Sequence, residues 1–304
     1  MKASTEKESR TNMMNRQRSE TVFQWTNGAL ILLICLTMIA PMIHLLAVSI
    51  SDPVYAGAKL VYLWPKGLFF NVYTTLFQMK DMWRAMGVSV YITVVGTVLS
   101  LALTSTLAFT LARPQMPGRK WIVRLILFSF IFPAPLIPTF LIINKLGMMN
   151  TLWALIVPGA LGAYNVFIMK TFFQGVSKEL IEAAKIDGCS EFGVYLRIVL
   201  PVSQAVSATI ALFHAVGTWN SYFSALIYIR SEHLFPLQLK LRNMVQNSAF
   251  DSGVDNSMFD SQVLQTPEML KAGAILFTTI PILIVYPFLQ KYFVKGAMLG
   301  SLKE

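Results

Sequence analysis

The chain has 304 residues, of which 55% are hydrophobic and 13% charged, against roughly 45–50% and about 25% in soluble domains. With a mean hydropathy of +0.58, this composition excludes an ordinary soluble protein. The net charge of +10 would suit nucleic-acid binding, but the basic residues form no stripe with interleaved aromatics, and a membrane explains the charge better. Cys35 and Cys189 provide neither a disulfide framework nor a zinc motif.

Long stretches without Asp, Glu, Lys or Arg dominate the chain. A helix needs ~20 mostly apolar residues to cross a membrane core of ~30 Å, and six stretches meet this requirement. They are continuously apolar, whereas barrel strands would alternate. We therefore predict an all-α membrane protein with six transmembrane helices. The predicted helices comprise approximately residues 26–51, 87–112, 122–146, 151–173, 203–229 and 271–292.

The segments between these helices give the organisation of the chain. A polar tail, residues 1–20, precedes a single transmembrane domain, residues 21–304. Cytoplasmic loops retain positive charge, and 16 of the 25 lysines and arginines fall on the side that holds both termini, which we therefore predict to be cytoplasmic. The long segments 52–86 and 230–270 are then external, and the loop 174–201 is cytoplasmic. Segment 230–270 is either a docking site for an external partner or a solvated loop.

Prolines interrupt the third predicted helix. Pro133, Pro135 and Pro138 remove backbone donors, so we predict a kink or break there. Such a break either lines a cavity or shapes the packing.

The fifth predicted helix carries polar residues in one stripe. Gly217, Asn220, Ser221, Ser224 and Tyr228 recur at helical spacing, so they share one face. Uncharged hydroxyls and an amide suit a neutral polyol, whose apolar faces aromatic rings can cover. The alternative is helix packing through small residues. The candidate substrate-path residues are Gly217, Trp219, Asn220, Ser221, Tyr222, Ser224 and Tyr228.

Several kinds of chemistry are not indicated. His214 lies one turn before the polar stripe without a second ligand at helical spacing, so we interpret it as a packed side chain and predict no metal site. The cores of the predicted helices contain no ionisable Asp, Glu, Lys or Arg, which argues against an ion-coupled carrier. Without a Gly-rich phosphate loop, the chain is not expected to bind or hydrolyse ATP, and we predict no catalytic residues.

The cytoplasmic loop carries the most specific pattern. Good helix formers extend from Lys178 to Asp187, Gly188 can end that helix, and Ser190 can cap a second one. We therefore predict two short helices. The small side chains of Ala183 and Ala184 would let a partner approach closely, and the Glu182 carboxylate would pair with a basic group there. The alternative is a solvated surface helix.

The spacing of these residues resembles a known signature. Glu182-Ala183-Ala184, Gly188, Ile198 and Leu200-Pro201 match the EAA signature of permeases from binding-protein-dependent ABC importers. The resemblance implies the type I importer (MetI-like) fold. It also implies that the loop is a coupling helix docking on an ATP-binding subunit through Glu182, Ala183, Ala184, Asp187 and Gly188.

Two weaker motifs resemble the carbohydrate branch of that family, the maltose-type and polysaccharide-type permeases. They are Trp219-Asn220-Ser221-Tyr222-Phe223 with the following Phe235-Pro236-Leu237, and the terminal residues 290–296 with Gly300. The resemblance implies half of a translocation pathway for an oligosaccharide or related glycan. A permease for a peptide, amino acid or phosphate and an ion-coupled secondary carrier remain the alternatives.

The resemblance also implies partners. We expect a second related permease subunit, in a heterodimer or a homodimer, two ATP-binding subunits that hold ATP and magnesium, and an extracytoplasmic solute-binding protein. The chain would lie in the lipid bilayer of a bacterial plasma membrane, carry a sugar substrate, need no cofactor of its own and bind no nucleic acid.

Overall fold

The computed structural model describes the backbone of residues 2–246 and 266–301 and the side chains of residues 20–246 and 266–287. The middle of the predicted external segment 230–270 lies outside the described residues, and so do the side chains of the terminal motif 290–296. Within the described ranges every regular element is helical, which confirms the predicted all-α class.

The helices follow one another with short connections, and the numbering used below follows chain order. They are α1 Lys2–Ser49, α2 Pro53–Gly57, α3 Asn71–Gln78, α4 Lys80–Ala112, α5 Arg119–Ile131, α6 Leu136–Lys145, α7 Trp153–Ile156, α8 Ala163–Gln174, α9 Lys178–Ile186, α10 Glu191–Val194, α11 Leu200–Val202, α12 Gln204–Asn220, α13 Phe223–Tyr228, α14 Leu237–Gln246 and α15 Pro267–Ser301. A π-helical turn, Tyr195–Val199, joins α10 to α11, and a 3₁₀ turn, Glu232–Leu234, precedes α14.

The described residues form two compact units. One consists of the residues up to Thr74 with residues 266–276, and the other of residues 75–246 with those from Phe277 onward. The predicted polar tail 1–20 is part of α1, because that helix begins at Lys2 and runs without a break into the apolar segment.

In the first unit, the chain folds back on itself directly after α1. Asp52 caps α2 by accepting a hydrogen bond of 2.9 Å from the N–H of Val54, and its own N–H donates to the carbonyl of Lys66 at 2.9 Å. Gly67 has a φ of +70°, and a Cβ there would lie 2.9 Å from Cβ of Asp52. Only glycine therefore fits this close return of the chain.

In the second unit, α4 lies at the centre and packs mainly against α8 and α12. The buried face of α4 is rich in small residues, including Ser89, Gly96 and Ser100, which let neighbouring helices approach closely. A Cβ at Gly96 would lie 3.3 Å from the His214 ring of α12, whose Nδ1 lies 3.3 Å from Oγ1 of Thr97. His214 is thus a packed, hydrogen-bonded side chain, as predicted.

Three helices of the described chain are long and apolar enough to cross a membrane: Glu20–Ser49, Lys80–Ala112 and Pro267–Pro287. Two bent pairs pass the same test together, so the count reaches five if each pair forms one span. The total of six spans and the cytoplasmic position of both termini remain predictions.

The predicted third helix is broken, as its prolines indicated. The chain bends by 116° between the helices Arg119–Ile131 and Leu136–Lys145, and Pro133 and Pro135 lie between them. Proline has no N–H to donate, and its ring obstructs the preceding turn, so the helical hydrogen bonds stop at this point.

Two other helices that were predicted to be continuous are also interrupted. The predicted helix 151–173 is divided into α7 and α8. Pro158 and the nearby Gly162 lie in the non-helical segment between the end of α7 at Ile156 and the start of α8 at Ala163. The helix 203–229 ends at Asn220, where the following Ser221 has an extended ψ of 121°, and resumes as α13. The assumption of one continuous fifth helix was therefore wrong.

Candidate functional site

The loop 174–201 forms the predicted pair of short helices. The Ser177 hydroxyl caps α9 by accepting a hydrogen bond of 3.3 Å from the N–H of Leu180, and Ser190 caps α10 by accepting one of 3.2 Å from Gly193. Between them Gly188 has a φ of +82°, a left-handed conformation that glycine adopts without steric cost. The two capping serines and Gly188 thus define the turn, and α9 has a fixed start and end.

The five predicted docking residues divide into two groups. Glu182, Ala183, Asp187 and Gly188 are exposed, and a partner surface can reach them. Ala184 is only 7% exposed, because it packs within a buried cluster that includes Val194, Val206 and Ile210. Ala184 therefore joins α9 to the rest of the unit and does not itself face outward.

Ile186 was missed by the sequence analysis. It is 86% exposed at the last residue of α9, beside Asp187. An isolated exposed apolar side chain has no special meaning, but on a short helix with small neighbours it would add apolar contact area if a partner docked there. Its helical periodicity relative to Glu182 was the available signal.

Ionised groups connect this loop to the end of α4. The Glu191 carboxylate pairs with Lys185 of α9, and its Oε2 lies 3.3 Å from Nη2 of Arg113, directly after α4. Hydrogen bonding by Lys185, followed by the charge of Arg113, outweighs partial burial and lowers the pKa of Glu191 below its ordinary value. Glu191 thus stays ionised over the physiological pH range.

The candidate path residues are not on one face, because the helix break separates them. Gly217 and Asn220 are exposed on the last turns of α12, Ser221 and Tyr222 form the break, and Ser224 begins the next turn. Tyr222 is half exposed, and the Arg242 guanidinium lies 4.7 Å from its ring centroid. The accessible polar groups of this set therefore cluster at the break.

Two candidate path residues are packing residues in this chain. Trp219 is buried, and Tyr228 is buried with its ring stacked 6.4 Å from that of Phe140. Both side chains therefore lie inside this chain, whereas the sequence analysis named them as candidate substrate-path residues.

Asn150 holds the end of α13 in place. It has a φ of +58°, its N–H donates to the carbonyl of Tyr228 at 2.8 Å, and its Oδ1 accepts from the N–H groups of Arg230 and Ser231 at 3.0 and 2.9 Å. Its Nδ2 donates to Oγ of Ser231 at 2.8 Å. Asparagine tolerates this left-handed conformation better than most residues. Sequence reasoning missed Asn150, because its partners lie about eighty positions away.

The segment after α13 is also attached to α4. Lys240 lies 3.7 Å from a carboxylate oxygen of Asp81 and 3.9 Å from one of Glu232. Residues 230–246 of the predicted external segment therefore belong to the second unit and contact α4.

The elements of the described residues are all helical, with breaks inside apolar segments and the short capped helix α9, an architecture that agrees with an ABC importer permease. A family model described as "Binding-protein-dependent transport system inner membrane component" matches residues 104–298, and the chain belongs to this family.

Relatives agree with this assignment along most of the chain. Protein LplC of Bacillus subtilis (strain 168) is 42% identical over 266 residues, which cover 87% of this chain and 89% of LplC. The polygalacturonan/rhamnogalacturonan transport system permease protein YtcP of the same strain is 39% identical over 273 residues, which cover 90% of this chain and 95% of YtcP.

A solved structure has the same fold. It is a crystal structure of a bacterial ABC transporter involved in the import of the acidic polysaccharide alginate. One of its chains is 29% identical to this one and superimposes with a TM-score of 0.84, covering 91% of this chain and 98% of that chain.

Proposed function

We propose that this chain forms half of the translocation pathway of an ATP-driven importer for an oligosaccharide or polysaccharide in a bacterial plasma membrane. The observation that carries the proposal is the α9 segment, a helix capped at both ends, exposed at Glu182 and Ala183, and attached to the unit through Ala184. The names of the relatives support the substrate class, since YtcP is a polygalacturonan/rhamnogalacturonan permease.

In this proposal, polypeptides other than this chain bind and hydrolyse ATP. Two ATP-binding subunits hold ATP and magnesium, and α9 sits against one of them through Glu182, Ala183, Asp187, Gly188 and the newly found Ile186. A basic group on that subunit pairs with Glu182, and the small Ala183 permits close approach. Closure of the ATP-binding subunits then moves α9.

The pathway needs a second wall. Asn220, Ser221 and Tyr222 offer an amide and hydroxyls at the break after α12, and a neutral or acidic sugar would exchange its hydration for hydrogen bonds to them. A second, related permease subunit supplies the opposite wall, and an extracytoplasmic solute-binding protein delivers the sugar to the external segments.

The test begins with mild detergent purification of the chain from its native membrane and identification of the proteins that accompany it. The complex is then placed in vesicles with its binding protein. Uptake is measured for galacturonate, alginate and arabinose oligosaccharides, for a peptide and for phosphate. ATP-dependent uptake of a saccharide supports the proposal. Uptake of the peptide or of phosphate would make the chain a permease for another solute, and uptake driven by an ion gradient without ATP would make it a secondary carrier.

A further inference from the structure

Glu191 is shared between two elements that are far apart in the sequence. One carboxylate oxygen pairs with Lys185 in the last turn of α9, and the other lies near Arg113, which follows the final residue of α4. One side chain therefore connects the helix proposed to receive the movement of the ATP-binding subunit with the helix at the centre of the second unit.

The α4 side of this connection is held firmly. The Arg113 guanidinium lies 4.7 Å from the ring centroid of Phe109, and that ring lies 5.2 Å from the ring of Tyr195. Tyr195 belongs to the π-helical turn after α10, and its buried hydroxyl lies 2.7 Å from Oγ of Ser105, one further turn back along α4. The turn after α10 is therefore fixed on α4 beside Arg113, whereas α9 reaches α4 through Lys185, Glu191 and Arg113 and through the apolar cluster.

The apolar contacts of the loop do not set a direction by themselves. Ala184 and Val194 pack in one cluster with Ala108 of α4, but apolar burial is non-directional and such surfaces can slide. A charge-assisted hydrogen bond depends on geometry, and Glu191 makes one with Lys185 in the last turn of α9. The attraction between the Glu191 carboxylate and the Arg113 guanidinium then joins that end of α9 to α4, while the apolar cluster keeps the surfaces together.

The Glu191 carboxylate is accessible to water, because its side chain is 59% exposed, whereas the Arg113 side chain is only 22% exposed. An exposed carboxylate contributes modestly to stability, so the fold is expected to survive its removal. The larger effect of the pair is expected on how movement passes between α9 and α4.

We propose that Glu191 is a positioning residue that transmits the displacement of α9 to α4 through Arg113, so that ATP hydrolysis remains coupled to import. This inference rests on the proposed function. Without the Glu191 carboxylate, α9 would still bind the ATP-binding subunit, but its movement would be absorbed by sliding over the apolar cluster.

The test measures sugar imported per ATP hydrolysed in vesicles that contain the whole complex and its binding protein, with the oligosaccharide that the wild type imports best from the panel above. For Glu191→Gln we expect the ATP-binding subunits to remain bound, ATP hydrolysis to continue, and the ratio to fall about fivefold or more. Arg113→Gln should lower it similarly, and the double variant should be no worse than either single one, because both substitutions break the same link.

The matched control is Glu179→Gln. It removes a carboxylate from the same loop, but Glu179 accepts its hydrogen bond from Ser177 at the start of its own helix, so no link to α4 is broken. The import ratio of this variant should equal that of the wild type.

Each outcome decides the matter. An unchanged ratio in Glu191→Gln, with wild-type import intact, would overturn this inference alone. If Glu191→Gln loses its ATP-binding subunits, Arg113→Gln decides, because it leaves the loop untouched: a lowered ratio supports the inference and an unchanged ratio overturns it. Absence of ATP-driven saccharide import by the wild-type complex would overturn the proposed function and this inference with it.

Discussion

The backbone N–H of Leu237 donates a hydrogen bond of 2.7 Å to Oγ of Ser89, which joins the start of α14 to α4 across 148 positions of sequence. Both residues are buried. A buried N–H without a partner is costly, so this hydroxyl helps to attach α14 to α4, together with the buried side chains of Leu237 and Leu239.

Ser89→Ala should therefore destabilise the chain by about 1–3 kcal/mol, because the Leu237 N–H would remain buried without an acceptor. The unfolding temperature, followed by tryptophan fluorescence in detergent, is expected to fall. Ser129→Ala is the control, since the exposed Ser129 hydroxyl donates only to the carbonyl of Ile126 in its own helix. Equal unfolding temperatures for the two variants would contradict the prediction.

Glu182→Lys should abolish ATP-dependent import while the chain remains inserted in the membrane. The exposed carboxylate of α9 is proposed to meet a basic group, and two like charges across an interface cost several kcal/mol, which means at least about a tenfold loss of affinity. The measurement is the amount of ATP-binding subunit that co-purifies per permease chain. Wild-type import by this variant would refute the assigned docking role.

Asn220→Ala should lower import of the cognate sugar about two- to tenfold at unchanged expression, which corresponds to the loss of about one hydrogen bond. Asn220 is exposed at the end of α12, beside the break. Val216→Ala, a truncation on the exposed part of the same helix, provides the control and should import normally. An equal import rate in both variants would assign the polar stripe to helix packing.

The Glu191 ion pairs should give a pH-dependent difference between the wild type and Glu191→Gln. The pKa of Glu191 is lowered in the folded chain, so its contribution to stability is complete above the unfolded-state pKa of about 4.3 and is lost as pH falls through the folded-state pKa. The difference in unfolding temperature should be present near pH 7 and disappear in acid, because glutamine does not titrate. A difference that persists in acid would show that these ion pairs are not its source.

Features that depend on neighbouring residues could be predicted from the sequence. Ser177, Gly188 and Ser190 act within one or two turns of their own positions, so both short helices were predicted. The prolines before α6 likewise break the backbone at their own position.

Features that depend on distant partners could not be predicted. Arg113 and Glu191 are far apart in sequence, and nothing local shows that Ala184 faces inward while Ala183 faces outward. The break at Ser221 and Tyr222 carries no proline or glycine, so helical spacing was extended through it wrongly.

The four hydrogen bonds of Asn150 join the turn before α7 to the end of α13 and to the residues that follow it. Bending between them would break all four bonds together, which is far more costly than bending where helical bonds are already missing. The movement that opens the pathway to one side of the membrane and then to the other should therefore take place at the bend of 116° around Pro133 or at the bend of 81° beside Ser203. The part of the chain that contains Asn150 and Tyr228 would then move as one body between these two bends, without changing its internal structure.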